Sequence, residues 1–367
     1  MQFNDLQALH TRHAADIERR IRAVFAHAQF IMGPEVAELE SALADFVGAP
    51  HCVTVGSGTQ ALEIALRALG IGAGDEVITT SFSWISSAEV IALVGATPVF
   101  VDIEPRGFGL DPAQIARAIT PRTRAILPVS LYGQPANLSA ISAIADAHRL
   151  DVIEDGAQSF GAAQGGRKSC ALTRVGCTSF FPSKPLGCYG DGGALFTTDA
   201  ELARRSRAIR AHGSEDRKMH TLVGMNARLD TLQAAVLLAK LPHFASELAR
   251  RRQLAERYST ALRRHVVVPA ILPETDHVFA QYTLRYSERD RLAQTLADQG
   301  IPTQVHYPRC LHQQQAFAGL KTPELPEAER AAAEVLSLPL HAALSDADQE
   351  RVIAAVIAAT STNLGAP

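Results

Sequence analysis

Short apolar runs rich in β-branched residues alternate with stretches of helical periodicity from Pro34 to about Leu241, and this alternation leaves few folds open. Runs that read as strands cover residues 77–80, 98–103, 125–129, 151–154, 177–181 and 194–197. Between them, Leu62, Ala65, Leu66 and Leu69 share one helical face before Gly70 stops it. Asp111 and Pro112 supply an N-cap and a first-turn proline, and Asn137 opens a third helix. Strands separated by helices pair in parallel, since a helical crossover returns each strand to the same edge. The expectation is an α/β fold with a large, mostly parallel sheet covered by helices on both faces, and ligands where loops leave the strand ends.

After Leu241 and Pro242 the composition shifts, which divides the chain into a large domain over residues 1–242, with an N-terminal helical segment, and a small α+β domain over 243–367. Residues 247–264 read as one charged connector helix whose arginines at 250–252 form a solvated face. Strands at 281–286 and 304–307 and helices at 288–299 and 345–359 complete the small domain. An apolar fraction of 47% supports a large core, and a net charge of −3 favours neither nucleic acid nor an anionic membrane. Five cysteines lack any C-x-x-C pair, which argues against a disulfide framework and a structural zinc site, so no metal is expected. With neither a signal pattern at the N-terminus nor an apolar run of about 18 residues, the expected location is the cytoplasm.

Four places along the strand–helix pattern carry chemistry. Residues 53–61, VTVGSGTQA, read as a strand, a glycine turn and a helix start, the local design for an anion at backbone amides. Gly56, Gly58 and Ala61 also satisfy G-x-G-x-x-A, but the acid of a dinucleotide site should end the next strand, and Asp75 and Glu76 precede it. A single phosphate is therefore favoured. Trp84, the only tryptophan, follows the 77–80 run, either as a core aromatic or as a ring beside a ligand. Asp155 sits at the end of the 151–154 run. Lys184 follows Ser179, Phe180 and Phe181 and stands between Pro182 and Pro185. Burial there would lower its pKa toward the range of a nucleophilic amine. The other four lysines, Lys168, Lys218, Lys240 and Lys321, fit ordinary solvated positions. A phosphate loop, an aromatic, a strand-end acid and a lysine, in that order, meet the needs of pyridoxal 5'-phosphate: an amine for the Schiff base, an acid for the pyridine nitrogen, a ring on one face and amides for the phosphate.

Further marks are Gly33-Pro34-Glu35, Gly58 to Leu62, Gly74 to Ile78, Glu154-Asp155, Gln158, Ser179 to Lys184, and Gly190 to Gly193. With these the chain resembles, over nearly its whole length, the DegT-like sugar-nucleotide aminotransferases of the aspartate aminotransferase fold (pyridoxal phosphate fold type I). The resemblance implies Lys184 as the Schiff-base lysine, Asp155 at the pyridine nitrogen, Gln158 near the ring hydroxyl and Trp84 on the ring. It implies Gly58, Thr59 and Ser179 at the phosphate, joined by Asn226 from the neighbouring subunit of a homodimer with shared sites. Arg228, His306 and Tyr307 match substrate-contacting positions. The sequence departs from the family at Gly156, where alanine is common, and at Arg309 and Cys310, where apolar residues are expected after the Tyr-Pro pair.

Residues 127–134, 179–193 and 305–308 extend the resemblance to members acting on a UDP-linked 2-acetamido-3-oxo-uronate, with L-glutamate as donor, in the synthesis of surface polysaccharide (O-antigen) precursors. An aminotransferase for another UDP- or dTDP-keto-hexose is the nearest alternative. A sugar dehydratase of the same fold would carry His in place of Lys184, and a regulator without chemistry should show a damaged constellation; neither is seen.

Overall fold

The computed structural model describes residues 1–216 and 218–361. Its centre is a seven-stranded sheet in the order His51–Val55, Gly193–Thr197, Val175–Ser179, Asp151–Asp155, Thr123–Leu127, Glu76–Thr80, Thr97–Val101. The five strands from Val175–Ser179 to Thr97–Val101 pair in parallel. Central strands are buried on both faces, which is why they read as unbroken apolar runs. Helices Gly58–Ala68, Ser86–Leu93 and Leu138–His148 make crossovers. The Gly58–Ala68 helix buries Ala61, Leu62, Ile64, Ala65 and Leu66 against Val53, Val77 and Leu195. Truncating a fully buried leucine there, such as Leu66, should cost ~2–5 kcal/mol.

One strand departs from the parallel expectation. Gly193–Thr197 runs antiparallel to both neighbours, His51–Val55 and Val175–Ser179. Residues 180–192, which precede it, form no helix, so the chain turns back on itself instead of crossing over.

Helices Leu6–His27 and Pro34–Val47 precede the sheet, and Leu6–His27 packs Ile17 on Val236 and Ala239 of helix Thr231–Lys240. Beyond that helix, Phe244–Leu262 buries Leu254, Tyr258 and Leu262 against the two-stranded antiparallel sheet of Tyr282–Arg285 and Val335–Leu338. Helices Arg289–Asp298 and Asp346–Ser361 close this cluster. Its connector is less solvated than expected. Arg250 does pair with Asp346, but Arg251 is buried and donates to the carbonyls of Phe279 and Leu340 at 3.1 Å each. At 304–307 there is no strand, only an isolated bridge from Gln304 to Ser337. Helix Pro326–Glu334 and strand Val335–Leu338 were not anticipated.

All five cysteines are free and buried. Among the described residues no helix is long and apolar enough to cross a membrane, and no group of His, Cys, Asp or Glu is arranged for a metal ion.

Candidate active site

The site lies where the parallel strands end. Val55 and Ser179 close their strands two positions apart, and both are in register with Gly193 on the antiparallel strand between them. A β-carbon on Gly193 would stand 2.5 Å from the Ser57 carbonyl carbon and 2.7 Å from the Gly58 nitrogen, so only glycine lets the turn lie on the sheet. Ser57 caps the helix that follows by accepting from Gln60 N at 3.2 Å. Gly58 and Thr59 open that helix, where amides lack helical partners and favour an anion. A β-carbon on Gly58 would meet that of Ser179 at 2.7 Å. The turn and the serine thus form one cradle, with the Thr59 hydroxyl held by Ser86 Oγ at 2.8 Å.

Beside the cradle opens a cavity of about 470 Å³, and nine of the eleven expected site residues line it: Gly58, Thr59, Trp84, Asp155, Gln158, Ser179, Lys184, His306 and Tyr307. Trp84 is 59% exposed, which rejects the core reading, and its ring lies 6.0 Å from that of Tyr307. Asp155 is buried; Oδ1 accepts from Ala157 N and Oδ2 from the Ser87 hydroxyl, each at 3.1 Å. Burial pushes its carboxyl above the usual carboxylate range, while the Ala157 amide, the Lys184 charge and Ser87 pull it back. Lys184 is shifted the other way: burial lowers its ammonium below the usual lysine range, opposed by Asp155. The lysine sits in a turn closed by its own amide on Phe181 O at 2.9 Å. This is the setting a nucleophilic amine requires.

The Gln158 carboxamide is fixed at both ends, accepting from Tyr132 N at 2.8 Å and donating to the Tyr307 hydroxyl at 3.1 Å. His306 bonds Ser337 Oγ at 3.0 Å through Nδ1, and its backbone oxygen accepts from the Tyr132 hydroxyl. Burial and then the Lys184 charge push its imidazole down to about 4. A buried acid and a half-buried amine in one cavity, an exposed ring and an anion cradle fit pyridoxal phosphate group by group.

Asn226 and Arg228 do not line this cavity. Asn226 is exposed and accepts from Arg228 Nε at 3.1 Å. The departure at Cys310 is harmless, since its fully buried side chain serves as a small apolar residue. The expectation for the remaining lysines fails at Lys240. Its side chain is buried, its Nζ donates to the Gly187 carbonyl, and the Tyr189 ring lies 5.7 Å away. The apolar helix Thr231–Lys240 packs inward on all sides and leaves its last side chain no path to water.

Three contributors went unrecognised in the sequence. Ser87 holds Asp155, Tyr132 orients both Gln158 and the His306 loop, and Gln281, just before strand Tyr282–Arg285, lines the cavity. Only Ser87 left a signal, by falling one helical turn after Ser83 beside Trp84.

Comparison with known proteins agrees with this geometry. Residues 11–357 match the model of the DegT/DnrJ/EryC1/StrS aminotransferase family. The UDP-2-acetamido-2-deoxy-3-oxo-D-glucuronate aminotransferase of Pseudomonas aeruginosa is 50% identical over 97% of this chain and 99% of its own length. A DegT/DnrJ/EryC1/StrS aminotransferase from Brucella abortus superposes with a TM-score of 0.96 at 41% identity, covering 98% of this chain and 99% of that one. The NtdA structure from Bacillus subtilis, which holds the cofactor as pyridoxamine phosphate, has a TM-score of 0.91 at 30% identity over 98% of this chain and 85% of that one. Pyridoxal phosphate is the cofactor these relatives share with this chain. A cradle, an acid and a lysine converging on one cavity, in a chain matched from residue 11 to residue 357, make this protein a member of the DegT/DnrJ/EryC1/StrS aminotransferase family.

Proposed function

We propose that the chain transfers the amino group of L-glutamate to the keto carbon of a sugar nucleotide, with UDP-2-acetamido-2-deoxy-3-oxo-glucuronate as acceptor. The observation that carries the reading is the pairing of a half-buried Lys184 with a buried Asp155 in the cavity that also holds the anion cradle. The choice of sugar is supported by the Pseudomonas aeruginosa relative. When bound, pyridoxal phosphate supplies an electron sink for the carbanion formed beside the migrating nitrogen. Asp155, held in place by Ser87 and the Ala157 amide, would set a negative charge against the pyridine nitrogen. Lys184 Nζ would hold the cofactor and, as a neutral amine, would move the proton at the reacting carbon. Trp84 and Gln158 line the same cavity, where Trp84 would cover the ring and Gln158 would hold its hydroxyl edge.

The exposed Asn226 and the half-buried Arg228, both outside their own chain's cavity, suit a homodimer in which each subunit completes its neighbour's site, Asn226 at the phosphate and Arg228 at the sugar carboxylate. Such an enzyme works in the cytoplasm on precursors of surface polysaccharide. Mass spectrometry of products from glutamate and a panel of UDP- and dTDP-keto-sugars tests the reading. A mass gain for an amine at the ketone of the 3-oxo-uronate is expected; amination of a different sugar alone overturns the choice of acceptor.

A further inference from the structure

A buried amine is costly unless it is paired, and at the end of helix Thr231–Lys240 a methionine of similar size would avoid that cost. The chain nevertheless buries Lys240 there. Its Nζ donates to the carbonyl of Gly187, three residues after Lys184. Lys240 and Lys184 line one small cavity of about 40 Å³, together with Glu247, which His13 holds at 2.7 Å. Burial lowers the Lys240 ammonium below the usual lysine range, and Glu247 pulls it back.

Residues 181–192 form neither helix nor strand, so the turn that carries Lys184 depends on what fastens it. Its returning limb is tied at three successive residues. Gly187 O accepts from Lys240, Cys188 N donates to Phe180 O at 2.8 Å, and Tyr189 N donates to Gln233 Oε1 at 2.8 Å. Two of those three ties come from helix Thr231–Lys240. The limb in turn lies tight against the residues that lead into Lys184. A β-carbon on Gly187 would stand 2.5 Å from Pro182 O and 2.8 Å from Phe181 O, so a shift of Gly187 is passed to the strand side of the turn. Ser179 is secured apart from this, in register with Gly193 on the sheet.

We propose that Lys240 is a positioning residue: through the Gly187 carbonyl it holds the turn where Lys184 Nζ can reach the aldehyde of pyridoxal phosphate. The step it serves is a condensation. The amine nitrogen bonds to the aldehyde carbon, the carbon–oxygen bond breaks, and the oxygen leaves as water with two protons from the amine. The inference rests on Lys184 as the cofactor lysine, as described above, and gives the second buried amine a task in that site.

Titrating the apoenzyme with pyridoxal phosphate and, separately, with pyridoxamine phosphate tests this, with quenching of Trp84 in the cavity as the binding signal. The pyridoxamine form has an amine in place of the aldehyde and cannot condense with a lysine, so it reports on the cradle and the acid alone. Lys240→Met removes the donor at similar volume. Pyridoxal phosphate should bind this variant roughly tenfold more weakly than wild type, the scale of one hydrogen bond, and pyridoxamine phosphate within twofold. Equal weakening of both forms would mean a purely structural role, and no weakening of either would mean that the turn needs no such tie; each overturns the proposal. If Lys240→Met does not fold, Lys240→Gln takes its place, since its amide nitrogen stops one bond short of Nζ, and the same outcomes decide. Borohydride mapping of the wild type reports on the underlying reading separately. An adduct away from Lys184 overturns both, whereas an adduct on Lys184 with equal losses in the variant overturns this proposal alone.

Discussion

Replacing Gly58 by alanine should damage the cofactor site far more than it damages the fold. The new β-carbon would stand 2.7 Å from Ser179 Cβ, 3.2 Å from its Cα and 3.3 Å from its Oγ. Carbon atoms prefer ~3.5–4.0 Å, so the strand end and the helix start must separate by roughly 1 Å. Overpacking of this kind costs ~1–3 kcal/mol, and the better helix propensity of alanine returns ~0.5–1 kcal/mol. The melting temperature should therefore fall by only a few degrees. Binding should be hit harder, because Ser179 and the Gly58 amide, proposed to hold the same phosphate, would be pushed apart. Losing one hydrogen bond to a charged group, ~1.5–3 kcal/mol, raises the dissociation constant of pyridoxal phosphate roughly tenfold to a hundredfold. Trp84 is the only tryptophan and lines the cavity, so quenching of its fluorescence on adding cofactor to the apoenzyme measures binding directly. Gly72→Ala is the control: its β-carbon would meet nothing closer than Val94 O at 3.5 Å, and cofactor affinity should not change. If Gly58→Ala binds pyridoxal phosphate within twofold of wild type, the cradle is not where the phosphate sits.

The remaining predictions concern the acid, the amine, the shared site and pH. Lys184→Ala should abolish turnover, and borohydride treatment of the wild type followed by peptide mapping should find the cofactor on Lys184; attachment at the buried Lys240 would reverse the assignment. Asp155→Asn should retain the cofactor yet lose turnover by about two orders of magnitude or more, the scale of a preorganised charge in a dry site, in stopped-flow traces of both half-reactions. Near-normal traces would remove Asp155 from the pyridine nitrogen. Inactive Lys184→Ala and Asn226→Ala chains should recover activity when their subunits are exchanged, since one site of the mixed dimer collects both lesions and the other neither; confirmed heterodimers without activity refute sharing. His277 is pushed from 6.5 down to about 3, by burial and then by Arg252. The unfolded chain therefore binds a proton that the folded chain refuses below about pH 6.5, so stability should decline as pH drops from there toward 3. An imidazole NMR titration showing His277 protonated at pH 5 in the folded protein would contradict this.

Much of the fold was legible because parallel strands buried on both faces leave continuous apolar runs. Their ends were less so. The run at 177–181 belongs to strand Val175–Ser179, and Phe180 and Phe181 lie beyond it in the turn that carries Lys184. Side-chain character cannot show where a ladder stops. Nor can it show direction: 194–197 looks like its neighbours and runs the other way, because the preceding turn decides. Lys184 was legible through its prolines and the scarcity of lysine. Lys240 was not, since a lysine at a helix end ordinarily reaches water. Ser87 is a common polar residue whose partner lies 68 positions away, so its role arises only once the chain has folded. Asn226 and Arg228, matched through the family, lie outside the cavity of their own chain.

The strand Gly193–Thr197 has a consequence for synthesis. His51–Val55 lies at the sheet edge, and its one partner in the sheet is that strand, so at 51–55 the nascent chain has nothing to pair with until residue 197 has been made. At ~5–20 residues per second, the intervening stretch occupies the ribosome for roughly 7–30 s. For that time the Ser57–Gly58 turn has no sheet to rest on, although its helix is ready to form locally. Mutations that slow the closure of 193–197 should expose the N-terminal strand to chaperones and proteases before they affect the finished enzyme. Cofactor added during translation should be taken up only by chains that have passed this point.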